Sequence, residues 1–247
     1  MRLALLTDLH ANREAFQACL DHAARHGADH YAFTGDLVGY GADPGWVVDT
    51  VMAYVARGAI AVQGNHDYFA TVAARAPMHA EAREAIEWTR SELSEEQGAF
   101  LAALPLTQER ADILFVHASA AAPARWDYIN NIDDAERSLR ATDRKLVFCG
   151  HVHVPALYRR AADGTMGSHA PRPGVSLPLR RQHQHLVIPG AVGQPRDGDC
   201  RACYALYDDV SRTLVYYRIA YDHGAAARRV IAAGLPIVFA MRLIEGL

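Results

Sequence analysis

The chain has 247 residues, 51% of them apolar, and a formal charge of −3. That size fits one large α/β domain with a sizeable core, and residues 1–247 are read as a single domain. The charge excludes the basic field that nucleic-acid binders use, so no specific nucleic-acid partner is expected. No run approaches the roughly eighteen apolar residues of a membrane helix. The apolar start, residues 1–6, meets Asp8 too soon for a signal peptide, and the expectation is a cytoplasmic protein with no membrane partner. Four cysteines are too few for a disulfide framework, so the Cys200/Cys203 pair is expected to be reduced and structural.

In chain order, residues 2–7 read as a strand ending at Asp8-Leu9-His10. From Asn12 to about His26, Ala15, Phe16, Cys19, Leu20 and Ala23 fall at helical spacing, and Gly27 ends the run. A second strand, residues 30–34, leads into the loop Gly35-Asp36-Leu37-Val38-Gly39-Tyr40-Gly41. Pro44 opens a helix with Val47, Val48, Val51 and Val55 on one face, and residues 59–63 form a third strand. Strand-helix-strand-helix-strand predicts a parallel sheet with helices on its faces. The tetrapeptide Gly64-Asn65-His66-Asp67 follows, read as a loop whose Gly allows a tight turn.

Residues 78–104 are helical by pattern, with Ser94 and Gln97 spaced as a capping box. They either cover the sheet or cap a site, and 68–104 is the stretch that would form a lid. Short buried strands are predicted at 113–116, ending at His117, and at 146–149, ending at Gly150-His151-Val152-His153, with a helix over 133–139 between them. Further strands are predicted near 156–159, 186–188, 204–207 and 214–217, and helices over 224–233 and 236–245. Residues 161–182, rich in Gly, Pro and Arg, are expected to be a mobile surface loop.

What stands just past each apolar strand is the informative pattern: Asp8 and His10, then Asp36, then Asn65 and His66, then His117, then His151 and His153. Five strand ends each deliver a metal-ligand type. In open α/β sheets, ligands bind outside the carboxyl ends of the strands, so these side chains should converge. The i, i+2 pairs suit extended or turn backbone, where alternate side chains share a direction. Imidazole and carboxylate together favour two divalent or borderline ions, manganese or iron first, with zinc, nickel or cobalt open. Asp36 is placed in the order to bridge them, and a water shared by such a pair loses its proton near neutral pH.

Asp8-x-His10, Gly35-Asp36, Gly64-Asn65-His66-Asp67, His117 and Gly150-His151-Val152-His153 together resemble the motif set of the calcineurin-like metallophosphoesterase superfamily. Pro189-Gly190-Ala191-Val192-Gly193-Gln194-Pro195-Arg196-Asp197-Gly198 is similar to the final motif of its compact bacterial YfcE-like and diadenosine tetraphosphatase-like branch. The resemblance implies a two-sheet β-sandwich flanked by helices, with βαβ units in the N-terminal half. It implies one ion on Asp8, His10, Asp36 and His153, and another on Asp36, Asn65, His117 and His151. His66 would protonate the leaving oxygen or stabilise the phosphoryl transition state, with Asp67 as its supporting partner. The implied activity is hydrolysis of small phosphodiester, nucleotide or phosphoanhydride substrates. An asymmetric diadenosine tetraphosphate hydrolase, a Ser/Thr phosphoprotein phosphatase and a non-catalytic metal-binding scaffold are the alternatives.

Three residues near the motifs carry two readings each. Asn12 either caps a helix or touches substrate, and Tyr40 either packs or touches substrate. Arg196 either binds phosphate through its guanidinium fork or pairs with Asp197 or Asp199. His22, His26, His30, His79, His169, His183, His185 and His223 lie outside the motifs and are expected to be structural or solvated.

Overall fold

The computed structural model describes residues 1–72 and 78–247. Strand β1 (Arg2–Leu6), helix α1 (Arg13–Arg25), β2 (His30–Phe33), α2 (Pro44–Val55) and β3 (Ile60–Ala61) form the N-terminal unit. Helices α3 (Asn65–Thr71), α4 (Ala80–Glu92) and α5 (Glu95–Ala103) follow, then β4 (Thr107–Arg110), β5 (Ile113–Val116), α6 (Ile132–Arg140) and β6 (Leu146–Phe148). The remainder is β7 (Ala156–Arg160), β8 (Met166–His169), β9 (Ser176–Pro178), β10 (Gln184–Ile188), β11 (Ala202–Asp208), β12 (Thr213–Ile219), α7 (His223–Ala232) and α8 (Ile237–Glu245). Residues 73–77, inside the stretch considered as a lid, lie outside the described residues. No described helix is long and apolar enough to cross a membrane.

Two six-stranded sheets pack face to face, in the orders β3-β2-β1-β11-β12-β9 and β4-β5-β6-β10-β7-β8. Each contains a parallel triplet, β1-β2-β3 and β5-β6-β10. Strand alternation builds the layers. Leu3 and Leu5 of β1 meet Ile113 and Phe115 of β5 and Phe148 of β6 between the sheets. Ala4 and Leu6 face the other way, onto Phe16 and Leu20 of α1 and Val47, Val48 and Val51 of α2. In the second sheet, Leu114, Val116 and Val147 lie against Ala135 and Leu139 of α6.

The helix boundaries follow local chemistry. Asn12 caps α1 by accepting the Ala15 N–H at 3.1 Å. Pro44 sits in the first turn of α2, where its missing N–H leaves no bond unmade. Ser94 and Gln97 form the capping box of α5. All four cysteines are free, with Cys203 buried on β11.

The expected loop over 161–182 is instead where both sheets gain an edge. β8 pairs antiparallel with β7, and β9 with β12. Their Gly167 and Pro178 lower strand propensity, yet an edge strand needs hydrogen bonds on one side only, and its neighbour supplies them. β4 is another edge, wholly exposed and polar, so it carried no alternating pattern to read. Gly64-Asn65-His66-Asp67 is not a loop either. Gly64 is the N-cap of α3 and Asp67 lies in its first turn, where a carboxylate suits the free N–H groups and the helix dipole.

His185 on β10 is 2% exposed and its Nδ1 has no partner among the described residues. Burial, then the charges of His183, Arg212 and Arg159, push its imidazole down to about 4. Above pH 6.5 the ring is neutral whether the chain is folded or not. As pH falls from 6.5 to 4, the unfolded chain takes up the proton first, and folding stability drops by about 3 kcal/mol across that window. Urea midpoints measured from pH 7 to 4 should therefore fall more steeply for the natural chain than for His185→Leu, whose residue 185 cannot titrate.

Candidate metal centre

The carboxyl ends of β1, β2, β3, β5 and β6 open at one end of the two sheets, and the ligand-type residues gather there. Asp8, His10, Asp36 and His153 form one buried group, and Asp36, His117 and His151 a second, the offered atoms of each group lying within 4.8 Å of one another. Asn65 joins the second group, its Oδ1 3.3 Å from His117 Nε2. Asp36 belongs to both. Its Oδ2 is 3.8 Å from His10 Nε2 and 3.3 Å from His117 Nε2, while its Oδ1 accepts the His66 main-chain N–H at 2.9 Å.

Of the extended or turn backbone expected for the i, i+2 pairs, the structure has turns and no strand. Asp8, His10, His151 and His153 are left-handed, at φ 53°, 45°, 69° and 65°, and Asp36 is too, at 52°. Each such non-glycine residue holds a sparsely populated conformation at a cost, and it persists because surrounding bonds enforce it. The enforcing bonds run between loops: Asp8 N–H donates to Gly35 O and His10 N–H to Asp36 O, both at 3.0 Å, and Gly150 N–H to His117 O at 2.8 Å. Asp8 in turn accepts the His151 N–H at 3.1 Å and the Thr7 hydroxyl at 2.9 Å. Gly64 works by close approach rather than by a tight turn. Its φ is an ordinary −97°, but a Cβ there would stand 2.2 Å from Asp36 N and Oδ1.

These residues fit metal ions. His10, His117 and His153 place Nδ1 on main-chain carbonyls of Val38, Thr34 and Gln194, at 3.1, 2.8 and 2.6 Å. Donating Nδ1–H there leaves each Nε2 as a lone pair turned into the cluster. His10 Nε2 and His153 Nε2 then face each other at 3.1 Å, an arrangement that a cation between them relieves. The charge balance agrees. Against burial, the imidazoles of His117, His66 and His10 hold the Asp36 carboxyl well below the usual range, and its charge in turn raises the His117 imidazole to about 9, so Asp36 draws positive charge to the pocket, as a proton on His117 or as a cation in its place.

His66 is brought to the same place without joining either group. Its ring lies 4.9 Å from His10 and 4.4 Å from Tyr40, and it rests on Gly39, where a Cβ would come within 2.3 Å of His66 Nδ1. Burial pushes this imidazole down to about 4. Asp67 does not support the His66 ring. Its carboxylate accepts main-chain N–H bonds from Leu37 at 2.8 Å, Val38 at 3.2 Å and Gly64 at 2.9 Å, so it ties the Asp36 loop to the start of α3.

A cleft of about 580 Å³ opens over the cluster, floored by Asp36, Asn65, His66, His151 and His153. Tyr40 and Arg196 line it. Arg196 is not spent on its neighbouring acids: Asp197 pairs with Arg218, and Asp199 with Arg201. Asn12 is absent from this lining. Its Oδ1 caps α1 and its amide donates to Gly193 O at 2.8 Å, so both ends serve the fold and the substrate reading is corrected. His79, expected to be structural or solvated, lines the cleft with Phe69, Arg125, Trp126 and Tyr128. Sequence reasoning passed over the last four because isolated aromatics and an Arg in a loop follow no period. The signal was an aromatic pair shortly after His117.

Gly64→Ala should leave the chain folded by circular dichroism but lower its bound metal at least tenfold in affinity, because the added methyl must displace Asp36. Metal analysis after equilibrium dialysis checks this.

A family model, the calcineurin-like phosphoesterase superfamily domain, matches residues 1–211. An uncharacterized protein of Methanocaldococcus jannaschii is 30% identical over 253 residues, covering 99% of this chain and 98% of its own. A metallophosphoesterase from Sphaerobacter thermophilus superposes with a TM-score of 0.90 at 34% identity, over 100% of this chain and 99% of that one. A hypothetical protein from Pyrococcus horikoshii OT3 shares the fold, with a TM-score of 0.80 at 18% identity over 100% and 98% of the two chains. Sequence span, fold and the buried Asp/His cluster agree, and the chain belongs to the calcineurin-like phosphoesterase superfamily, a family of phosphoester hydrolases.

Proposed function

We propose that the chain hydrolyses small phosphodiester, nucleotide or phosphoanhydride substrates at a two-metal centre, with His66 acting on the leaving group. The observation that carries this reading is Asp36 Oδ2, which stands 3.8 Å from His10 Nε2 and 3.3 Å from His117 Nε2 and so is shared by both ligand groups. Asp8, His10, Asp36 and His153 would hold one ion, and Asp36, Asn65, His117 and His151 the other. Such a pair, manganese or iron by preference, supplies charge that neutralises a phosphoryl group and acidifies a water for attack.

The chain's own residues then orient and protonate. The loop bonds that hold Asp8, His10 and Asp36 fix the cluster before substrate arrives, which is the preorganisation that makes electrostatic stabilisation effective. Arg196, free of its acidic neighbours, offers a guanidinium to phosphate oxygens from the cleft wall. His66 enters neutral at pH 7, since burial holds it near 4, and an incoming phosphate favours its proton uptake. Its role is to give a proton or an N–H bond to the departing oxygen, which matters most when that oxygen is a poor leaving group. The cleft, about 580 Å³, suits a small ester better than a folded phosphoprotein.

Protein loaded with manganese should hydrolyse bis-p-nitrophenyl phosphate. No turnover with any of manganese, iron, cobalt, nickel or zinc would sink the reading. His66→Ala should keep its metal content and lose about 10²–10³-fold in kcat, more for alkyl than for p-nitrophenyl leaving groups. Unchanged kcat in that variant would remove His66 from the chemistry, and a protein inactive from the start would favour a metal-binding scaffold. Arg196→Ala should raise KM about tenfold with a smaller change in kcat, as expected for a group that binds phosphate in ground and transition states alike.

A further inference from the structure

The cluster imidazoles are not held alike. His10, His117 and His153 each place Nδ1 on a main-chain carbonyl and turn Nε2 to the cluster. His151 is reversed: Nδ1 faces inward, 3.2 Å from His117 Nε2, and its buried Nε2 has no partner among the described residues. A ligating imidazole ordinarily relies on a hydrogen bond at its second nitrogen to set ring orientation. Among the described residues nothing supplies that bond to His151.

What lies against the ring instead is Tyr128, stacked at a centroid distance of 4.0 Å with the planes 24° apart. Tyr128 is 49% exposed and belongs to none of the apolar clusters that build the core, so packing does not account for it. Trp126, on the same loop and left-handed at φ 57°, stands 6.0 Å from the His117 ring, edge to face. Both imidazoles of the second group therefore have an aromatic neighbour from one loop. The groups also differ in charge. The first holds two carboxylates, Asp8 and Asp36, whereas the second has only the shared Asp36 beside the neutral Asn65.

We propose that Tyr128 is a positioning residue for the second metal position, holding the His151 ring by stacking where its hydrogen bond is missing, so that the two ions bind unequally and Tyr128 sets the weaker affinity. The stack uses the ring and not the hydroxyl, so phenylalanine should serve as well as tyrosine. This inference rests on the metal assignment made above, and on nothing about substrate or turnover.

Titration of metal-free full-length protein with manganese, and with cobalt(II) followed by its visible absorption, tests it. Two binding steps are expected for the natural chain. Tyr128→Ala should weaken the second about tenfold, the scale of losing an outer support of a ligand, while the first stays within about twofold. Tyr128→Phe should restore the second step, and the cobalt absorption of the second equivalent should change in Tyr128→Ala alone. Equal weakening of both steps, no change in either, or a Tyr128→Phe as weak as Tyr128→Ala would each overturn the proposal, as would a natural chain that takes up no second ion. Thermal unfolding of the metal-free variants should match the natural chain, since Tyr128 is half exposed. A protein that binds two ions in this graded way yet cleaves no phosphoester would leave Tyr128 in its role and reject the hydrolase reading.

Discussion

The Asp36 carboxylate is the contact on which the remaining geometry depends. One oxygen fixes the first turn of α3 through the His66 N–H, and the other stands between imidazoles that come from different sheets. Removing it would separate His10 from His117 and release His66 at the same time. Around it the chain spends many bonds on holding loops rather than elements: Asp67 to Leu37 and Val38, Asp8 to His151, Gly193 N–H to Asp8 O. The bonds these buried carboxyls accept transmit position from one loop to the next, even though burial and the Asp36 charge push the Asp67 carboxyl up to about 7.

The two parallel triplets explain why such a network can exist. β1-β2-β3 and β5-β6-β10 point their carboxyl ends the same way, and the inter-sheet core of Leu5, Phe115 and Phe148 holds them at fixed separation. The ligands sit one to five residues beyond those strands, too short a reach to wander. The core therefore sets metal geometry, and a cavity made between the sheets would be felt at the cluster.

Much of this was legible in the sequence because the informative strands are buried on both faces and read as unbroken apolar runs. Ile113 to Val116 and Leu146 to Phe148 could be nothing polar, and whatever followed them had to be at a strand end. The edge strands were not legible, since Thr107 to Arg110 is all exposed and Ser176 to Pro178 owes its pairing to β12. Nor was the left-handed backbone at Asp8, His10, His151 and His153, because the slight tendency of Asp and His toward it is too weak to read and tertiary bonds impose it. Asn12 misled for a different reason. A helix cap and a phosphate contact ask for the same side chain, and only the distance to Ala15 decides between them.

That left-handed backbone sets the centre against the fold that carries it. An L-residue in that conformation is held at roughly 1–2 kcal/mol above glycine, and five metal-binding candidates accept the penalty. Replacing Asp8 or His10 by glycine would thus delete a ligand and relax the chain together. Selection for heat resistance alone would put no premium on keeping that penalty, and the protein it returned could be folded and empty.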